Sequence, residues 1–324
     1  MKKIYLLILC MSLFIVACGE AGSQEEDSSS YPERDINITI PYASGGGGDF
    51  QARIIGNYLQ EEMGVTVNVE ARPGGAGSTG MNYINTADPD GYNIILTAVG
   101  PSTLTPNHNE VGYNVVDNFE QISQVTFSPY GMAVNSSSGI ESLEELFELA
   151  GQEGEVTYGT TGSGLHQHVV TSALLNNMDG ATMEHVPFEG GAEALNALLG
   201  SHTTASMNTL SEIIPHHGDG LNILAVTAEE RLEELPEVPT FSELGYDLIS
   251  QGAWFGFMAP KDTPSEIIDI LDQNISAALE DEEIINRFTE AGYQIEYLGP
   301  EEFATKVAEE DESNRAVIEE LNLN

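Results

Sequence analysis

Apolar positions along the chain keep switching between two periods. Ile36, Ile38 and Ile40 recur at every second residue, the spacing of a strand with one buried face. Phe50, Ile54, Ile55, Tyr58, Leu59 and Met63 follow at the spacing of one helical face. The same exchange continues: Val65–Val69, Tyr92–Thr97, Met132–Val134, Val156–Tyr158 and Ile223–Thr227 read as strands. Between them, Ser142-Leu143-Glu144-Glu145 has the form of a capping box opening a helix through Leu149, and Ala192–Leu199 is amphipathic. Farther on, Ala253–Pro260 reads as extended. Thr263-Pro264-Ser265-Glu266 supplies a cap, a first-position proline and a box acid for a helix with Ile267, Ile268, Leu271, Ile275 and Leu279 on one face. A further helix ending at Gly292, a strand at Gln294–Leu298 and an acidic helix from Pro300 complete the series. Strands alternating with helices predict mainly parallel sheets covered on both faces, and two such series predict two α/β lobes. Ligands in such folds lie beyond the C-terminal ends of the strands.

The junctions at those strand ends carry the candidate chemistry. The first is Pro41-Tyr42-Ala43-Ser44-Gly45-Gly46-Gly47-Gly48-Asp49-Phe50. Glycines between a strand and a helix let backbone N–H groups converge, and the helix start adds uncapped donors and the positive end of its dipole. Asp49 reads as a capping acid for that first turn, with a general base as the alternative. Thr160, Thr161, Gly162, Ser163 and Gly164 repeat the arrangement after Tyr158, with His168 beside them; a third junction contains Asn208. Gly100 and Ser102 stand beyond the strand that ends at Thr97, and Trp254 and Phe255 are candidate aromatic walls.

Several other chemistries are disfavoured by spacing. Gly75-Ala76-Gly77-Ser78-Thr79-Gly80 matches a dinucleotide fingerprint, but the next strand ends in Ala98-Val99-Gly100 without the acid that would hold a ribose, so a second anion-friendly loop is expected there. No Gly-Lys-Ser/Thr follows a glycine run, which removes a P-loop. Thr161 and Leu165 break the nucleophile elbow around Ser163. His166, His168 and His185 lack a compelling metal spacing and read as packing or hydrogen-bonding residues, and His216-His217 as structural. Arg53 and Arg72 either clamp a carboxylate or form internal ion pairs; the pairs are the simpler expectation. No cofactor and no metal are expected.

Composition sharpens this picture. The 324 residues include 52 acidic and 10 basic side chains, a net charge of −42. That balance opposes nucleic-acid binding and polybasic attachment to lipid, and suits a solvated surface at high salt. Lys2, Lys3 and the apolar run Ile4–Val16 form a secretory signal too short for a membrane span. Ile15-Val16-Ala17-Cys18 resembles the lipobox of bacterial lipoproteins, so cleavage after residue 17 and lipidation of Cys18 are expected, with 18–34 as a flexible acidic tether. The mature domain then has no free thiol or disulfide.

In series, Pro41–Phe50, Glu70–Gly77, Asp88–Tyr92, Tyr158–His168, Val186–Gly190, Leu235–Thr240 and Trp254–Gly256 with Ala259-Pro260 are similar to the extracytoplasmic receptors of tripartite tricarboxylate transporters, often called Bug proteins. The resemblance spans roughly residues 35–305 in order. It implies a type II periplasmic-binding-protein fold, with two α/β lobes joined by crossing strands and a ligand cleft between them. On this analogy lobe 1 is 35–133 plus 252–324 and lobe 2 is 134–251. It further implies a small organic carboxylate gripped by Tyr42–Asp49 and Thr160–Gly164, transporter membrane subunits as partners, a monomeric receptor and no enzymatic turnover; an amino acid is the alternative solute. Ser44 and Gly48 stand where the family commonly has Pro and Thr. Asn208 stands where Asp is frequent, and the lost charge is expected to make the far end of the cleft more accepting of a second carboxylate.

Overall fold

The computed structural model describes residues 30–152, 156–176, 182–188, 191–228, 230–246 and 252–321. The signal segment, Cys18, most of the tether and the Glu189-Gly190 pair lie outside the described residues.

Alternation in the first series produces a parallel core of strands. β1 (Ile36–Ile40) lies between β2 (Val67–Ala71) and β3 (Asn93–Ala98), with Ile38 opposite both Val69 and Ile94. β4 (Phe119–Asn135) is 17 residues long and is the axis of the molecule. The second series gives β5 (Thr157–Thr160), β6 (Glu184–Pro187), β7 (Ala205–Thr209) and β8 (Leu221–Val226). β9 (Gly252–Pro260) and β10 (Gln294–Leu298) return to the first.

The two lobes follow the same strand logic. In the first the order is β2-β1-β3-β9-β4-β10, and in the second β6-β5-β7-β4-β8, each with a parallel trio followed by antiparallel partners. β4 belongs to both. Its first part pairs with β9 as far as Pro129 opposite Gly252; from Tyr130, opposite Thr209, it pairs with β7. At the change of partner the Tyr130 N–H donates to Thr227 Oγ1 at 2.8 Å, and the Thr227 N–H donates to the Tyr130 carbonyl at 2.9 Å. Gly252 is needed there because a Cβ would lie 2.4 Å from the Ser128 carbonyl oxygen.

Each lobe buries its own core. Met81, Ile95, Phe119, Trp254, Met258 and Phe303 fill the first, under the helices Ser78–Asn85 and Pro300–Leu321. Met132, Leu146, Phe147, Tyr158, Met207 and Phe241 fill one face of the second sheet, and Leu198, Leu210, Ile213, Ile223 and Val238 the other. Sheets covered on both faces explain the apolar, weakly alternating runs of β3 and β8. One cap differs from expectation. Pro264, not Thr263, precedes the helix Ser265–Glu280, because the Thr263 hydroxyl donates backwards to the Pro260 carbonyl at 2.7 Å.

Candidate ligand cleft

The first jaw is the start of the helix Gly47–Met63. Gly45 takes φ +88°, and its N–H donates to Asp49 Oδ2 at 2.9 Å. Arg53, one turn on, pairs with Asp49 Oδ1 at 2.8 Å. The guanidinium, helped by the Gly45 N–H, holds the Asp49 carboxyl below its ordinary range. Asp49 is buried and braces the loop from within. Gly46 is the N-cap and offers no side chain, so the first-turn N–H groups remain uncapped from that side.

Two glycines let aromatic walls close on this helix start. A Cβ on Gly47 would lie 2.2 Å from the Tyr293 hydroxyl, and one on Gly48 3.1 Å from the Tyr42 ring and 3.3 Å from the Phe255 ring. Tyr42 and Phe255 meet edge to face at 6.1 Å. Burial raises the phenol pKa of both Tyr42 and Tyr293, so each stays protonated and able to donate. Ser44, Gly45 and Gly46 form the exposed tip. Next to this wall lies a cavity of about 370 Å³, lined by Phe255 and Tyr293 and by Thr126, Ser128, Thr209, Ser211 and Glu212.

The second jaw is tied internally. Thr160 is buried, its hydroxyl 2.7 Å from His185 Nε2, while the Thr161 hydroxyl donates to Gln167 Oε1 at 2.7 Å. The Gly164 N–H donates to His168 Nδ1 at 2.9 Å. His168 in turn stacks on His185, ring centroids 3.8 Å apart and planes 10° from parallel. Burial, then the neighbouring His185 and His108, lowers the His168 pKa to about 4, so the ring is neutral and its Nδ1 can accept. His168 therefore supports the loop from behind. Gly162 takes φ +149° and Ser163 presents the exposed hydroxyl.

Other expected positions separate into lining and support. Gly100 borders open space, but the buried Ser102 hydroxyl is 3.2 Å from Thr97 Oγ1 and serves the segment Gly100–Leu104 itself. Trp254 is a core residue: its indole N–H donates to Glu310 Oε2 at 2.6 Å and its ring meets Phe303 edge-on at 5.1 Å. Strand alternation sends Phe255, not Trp254, to the cleft. Arg53 and Arg72 form the expected internal pairs, Arg72 with Glu70 at 2.8 Å and over the Tyr83 ring at 3.6 Å. The glycines of the 74–80 loop serve packing, since a Cβ would lie 2.4 Å from Pro101 at Gly77 and 2.9 Å from Pro41 at Gly80. That loop is not an open anion cradle.

Asn208 changes meaning most. It is buried, accepts from the Ser206 hydroxyl, and donates through Nδ2 to the Gly191 carbonyl at 3.1 Å and to Glu212 Oε2 at 3.3 Å. Glu212, a turn later, lines the neighbouring cavity. Glu212, Tyr293 and Thr126 were not legible as cleft residues; only Thr209 fell inside a recognised junction.

A larger groove of about 1110 Å³ shares no lining residue with either jaw. Glu230, Glu233, Glu234, Glu309 and Glu312 line it, so its field repels anions. Among the described residues no cluster of His, Cys, Asp or Glu is arranged to hold a metal, and no helix is long and apolar enough to cross a membrane.

Two α/β halves sharing β4, with a glycine-rich helix start next to a small polar cavity, have the architecture of a solute-binding receptor. The chain belongs to the tripartite tricarboxylate transporter family receptors, whose model matches residues 51–323. It is 29% identical over 322 residues to Protein BugT of Bordetella pertussis, covering 97% of each chain. Its structure is similar to an unliganded TctC solute binding protein from Polaromonas, with TM-score 0.81 and 26% identity over 90% of this chain and 99% of that one. A protein of R. palustris solved with adipate matches with TM-score 0.72 and 26% identity, over 89% and 97% of the two chains.

Proposed function

We propose that this receptor captures a small organic carboxylate between the Tyr42–Asp49 and Thr160–Gly164 loops and delivers it to the membrane subunits of a tripartite tricarboxylate-type transporter. The observation that carries the reading is the helix start at Gly47, which has no side-chain cap and is walled by protonated Tyr42 and Tyr293, an arrangement that suits an anion by backbone dipoles. The adipate bound by the structurally similar R. palustris protein supports the ligand class. Binding closes the lobes about β4, and the closed form is what the membrane subunits recognise. Cys18 carries a lipid that holds the receptor, as a monomer, at the outer face of a membrane.

A thermal-shift screen of di- and tricarboxylates, amino acids and aromatic acids tests the reading. A saturable rise in Tm with at least one carboxylate is expected; no rise with any of them refutes it. Recovery of the bound compound unchanged distinguishes a receptor from a carboxylate-processing enzyme.

A further inference from the structure

The second jaw hangs on two imidazoles. At its start the Thr160 hydroxyl meets His185 Nε2 at 2.7 Å, and at its end the Gly164 N–H donates to His168 Nδ1 at 2.9 Å. The two rings stack with centroids 3.8 Å apart, and the Tyr158 ring lies against both, 5.1 Å from His185 and 6.4 Å from His168. A third imidazole reaches this place from the first lobe. His108 ends the short helix Thr105–His108, and its ring atoms would stand 3.4 Å from a Cβ on Gly164. One residue on from His168, Val169 packs with Leu104, Val317 and Ile318 of the first lobe.

A backbone N–H only donates, so the Gly164 bond fixes the state of its partner: His168 Nδ1 carries no proton. A proton added there would set two donors against each other and break the tie at the end of the loop. It would also place a cation on the His185 ring and beside His108. The surroundings offer that cation nothing in return. Burial, His185 and His108 all act against the charged form of His168, and burial does the same for His185. Tyr158 is kept protonated by burial. Glu184 and Glu110, in the segments that carry His185 and His108, are exposed. Asp311 lies on the C-terminal helix, which packs on the helix His166–Asn176, and is paired with Arg315 and Asn107.

We propose that His168 is the positioning residue of the second jaw and holds the Thr160–Gly164 loop only while uncharged, so that acid releases the loop. An open loop returns the ring to water and to its ordinary proton affinity, so the closed loop and the proton exclude one another. The tie is complete above pH 6.5 and is lost as pH falls from there towards 4. For capture, which rests on the carboxylate reading above, the receptor then holds its ligand near neutrality and lets go in acid.

Hydrogen exchange of the wild-type protein tests this without any ligand, read at Gly164 and corrected for the intrinsic pH dependence of amide exchange. Between an ordinary pKa of 6.5 in the open loop and about 4 in the closed one, protection should fall on the order of twentyfold from pH 7.5 to pH 5. A fall of less than about threefold overturns the inference. β8, at the opposite end of that lobe's sheet from β6, reports global opening, and an equal fall there also overturns it. His168→Asn puts a side-chain oxygen where Nδ1 accepts. It should keep the protection at pH 7.5 and lose the pH dependence; a variant as pH-sensitive as the wild type removes His168 from the role. Should the variant leave the loop open at both pH values, the wild-type ring decides: its Cε1 proton resonance must titrate well below 6.5, and an ordinary midpoint overturns the inference. A loop that opens in acid while no carboxylate raises Tm supports this inference and refutes the carboxylate reading alone.

Discussion

The Tyr130 hydroxyl lies 2.8 Å from His166 Nδ1, joining the strand shared by both lobes to the helix that follows the second jaw. Both residues are buried, and burial lowers the His166 pKa to about 3 while raising that of the phenol. The neutral ring can accept from the phenol through Nδ1. Tyr130→Phe leaves Nδ1 buried and unpaired and should cost about 1–3 kcal/mol of stability. Urea denaturation checks this; an unchanged midpoint would contradict it.

The same histidine sets an acid limit. His166 has a folded-state pKa near 3 against an ordinary 6.5, so the unfolded chain binds the proton first as pH falls. Stability therefore rises with pH across the window between those values and is lost on acidification. Between pH 7 and pH 5 one such group costs about 2 kcal/mol. His168 and His185, also lowered by burial, act in the same direction. Denaturation midpoints measured at both pH values should fall on acidification, and the fall should be smaller in His166→Gln.

Gly47 tests the first jaw. A Cβ there would overlap the Tyr293 hydroxyl at 2.2 Å, yet stand 3.2 Å from the ring carbon bearing it. Gly47→Ala should lower Tm and weaken ligand binding, and Tyr293→Phe in the same chain should restore part of the Tm by removing the clashing oxygen. Equal melting of the single and double variants would show that the contact does not govern this wall.

Charge −42 makes association sensitive to salt. A dicarboxylate that binds should associate faster as ionic strength rises, because long-range repulsion is screened while the short contacts within the jaws persist. A zwitterion, with no net charge to repel, should show a nearly flat dependence. Stopped-flow rates across a salt series separate these; a steep fall for the dicarboxylate would contradict the argument.

Lipid attachment at Cys18 is tested by Cys18→Ala. The variant should leave the membrane fraction and appear free in the medium or periplasm, without altering ligand binding by the domain. Continued sedimentation with membranes would exclude Cys18 as the anchor.

Residue order by itself determined much of this protein. Alternation at Ile36–Ile40 and helical spacing from Phe50 depend on local burial periods, so the α/β class and both loop-to-helix junctions were readable from neighbouring residues. Only the tertiary structure decided the rest. β4 was visible only as Met132–Val134, because its 17 residues include Pro129, Gly131 and buried glutamines whose neighbours come from four other strands. Trp254 and Phe255 are adjacent and similar in sequence, yet the pleat of β9 gives one to the core and the other to the cleft. Tyr293, Thr126 and Glu212 meet around one cavity from three distant segments. Their cooperation is a matter of packing between lobes, which no local pattern records.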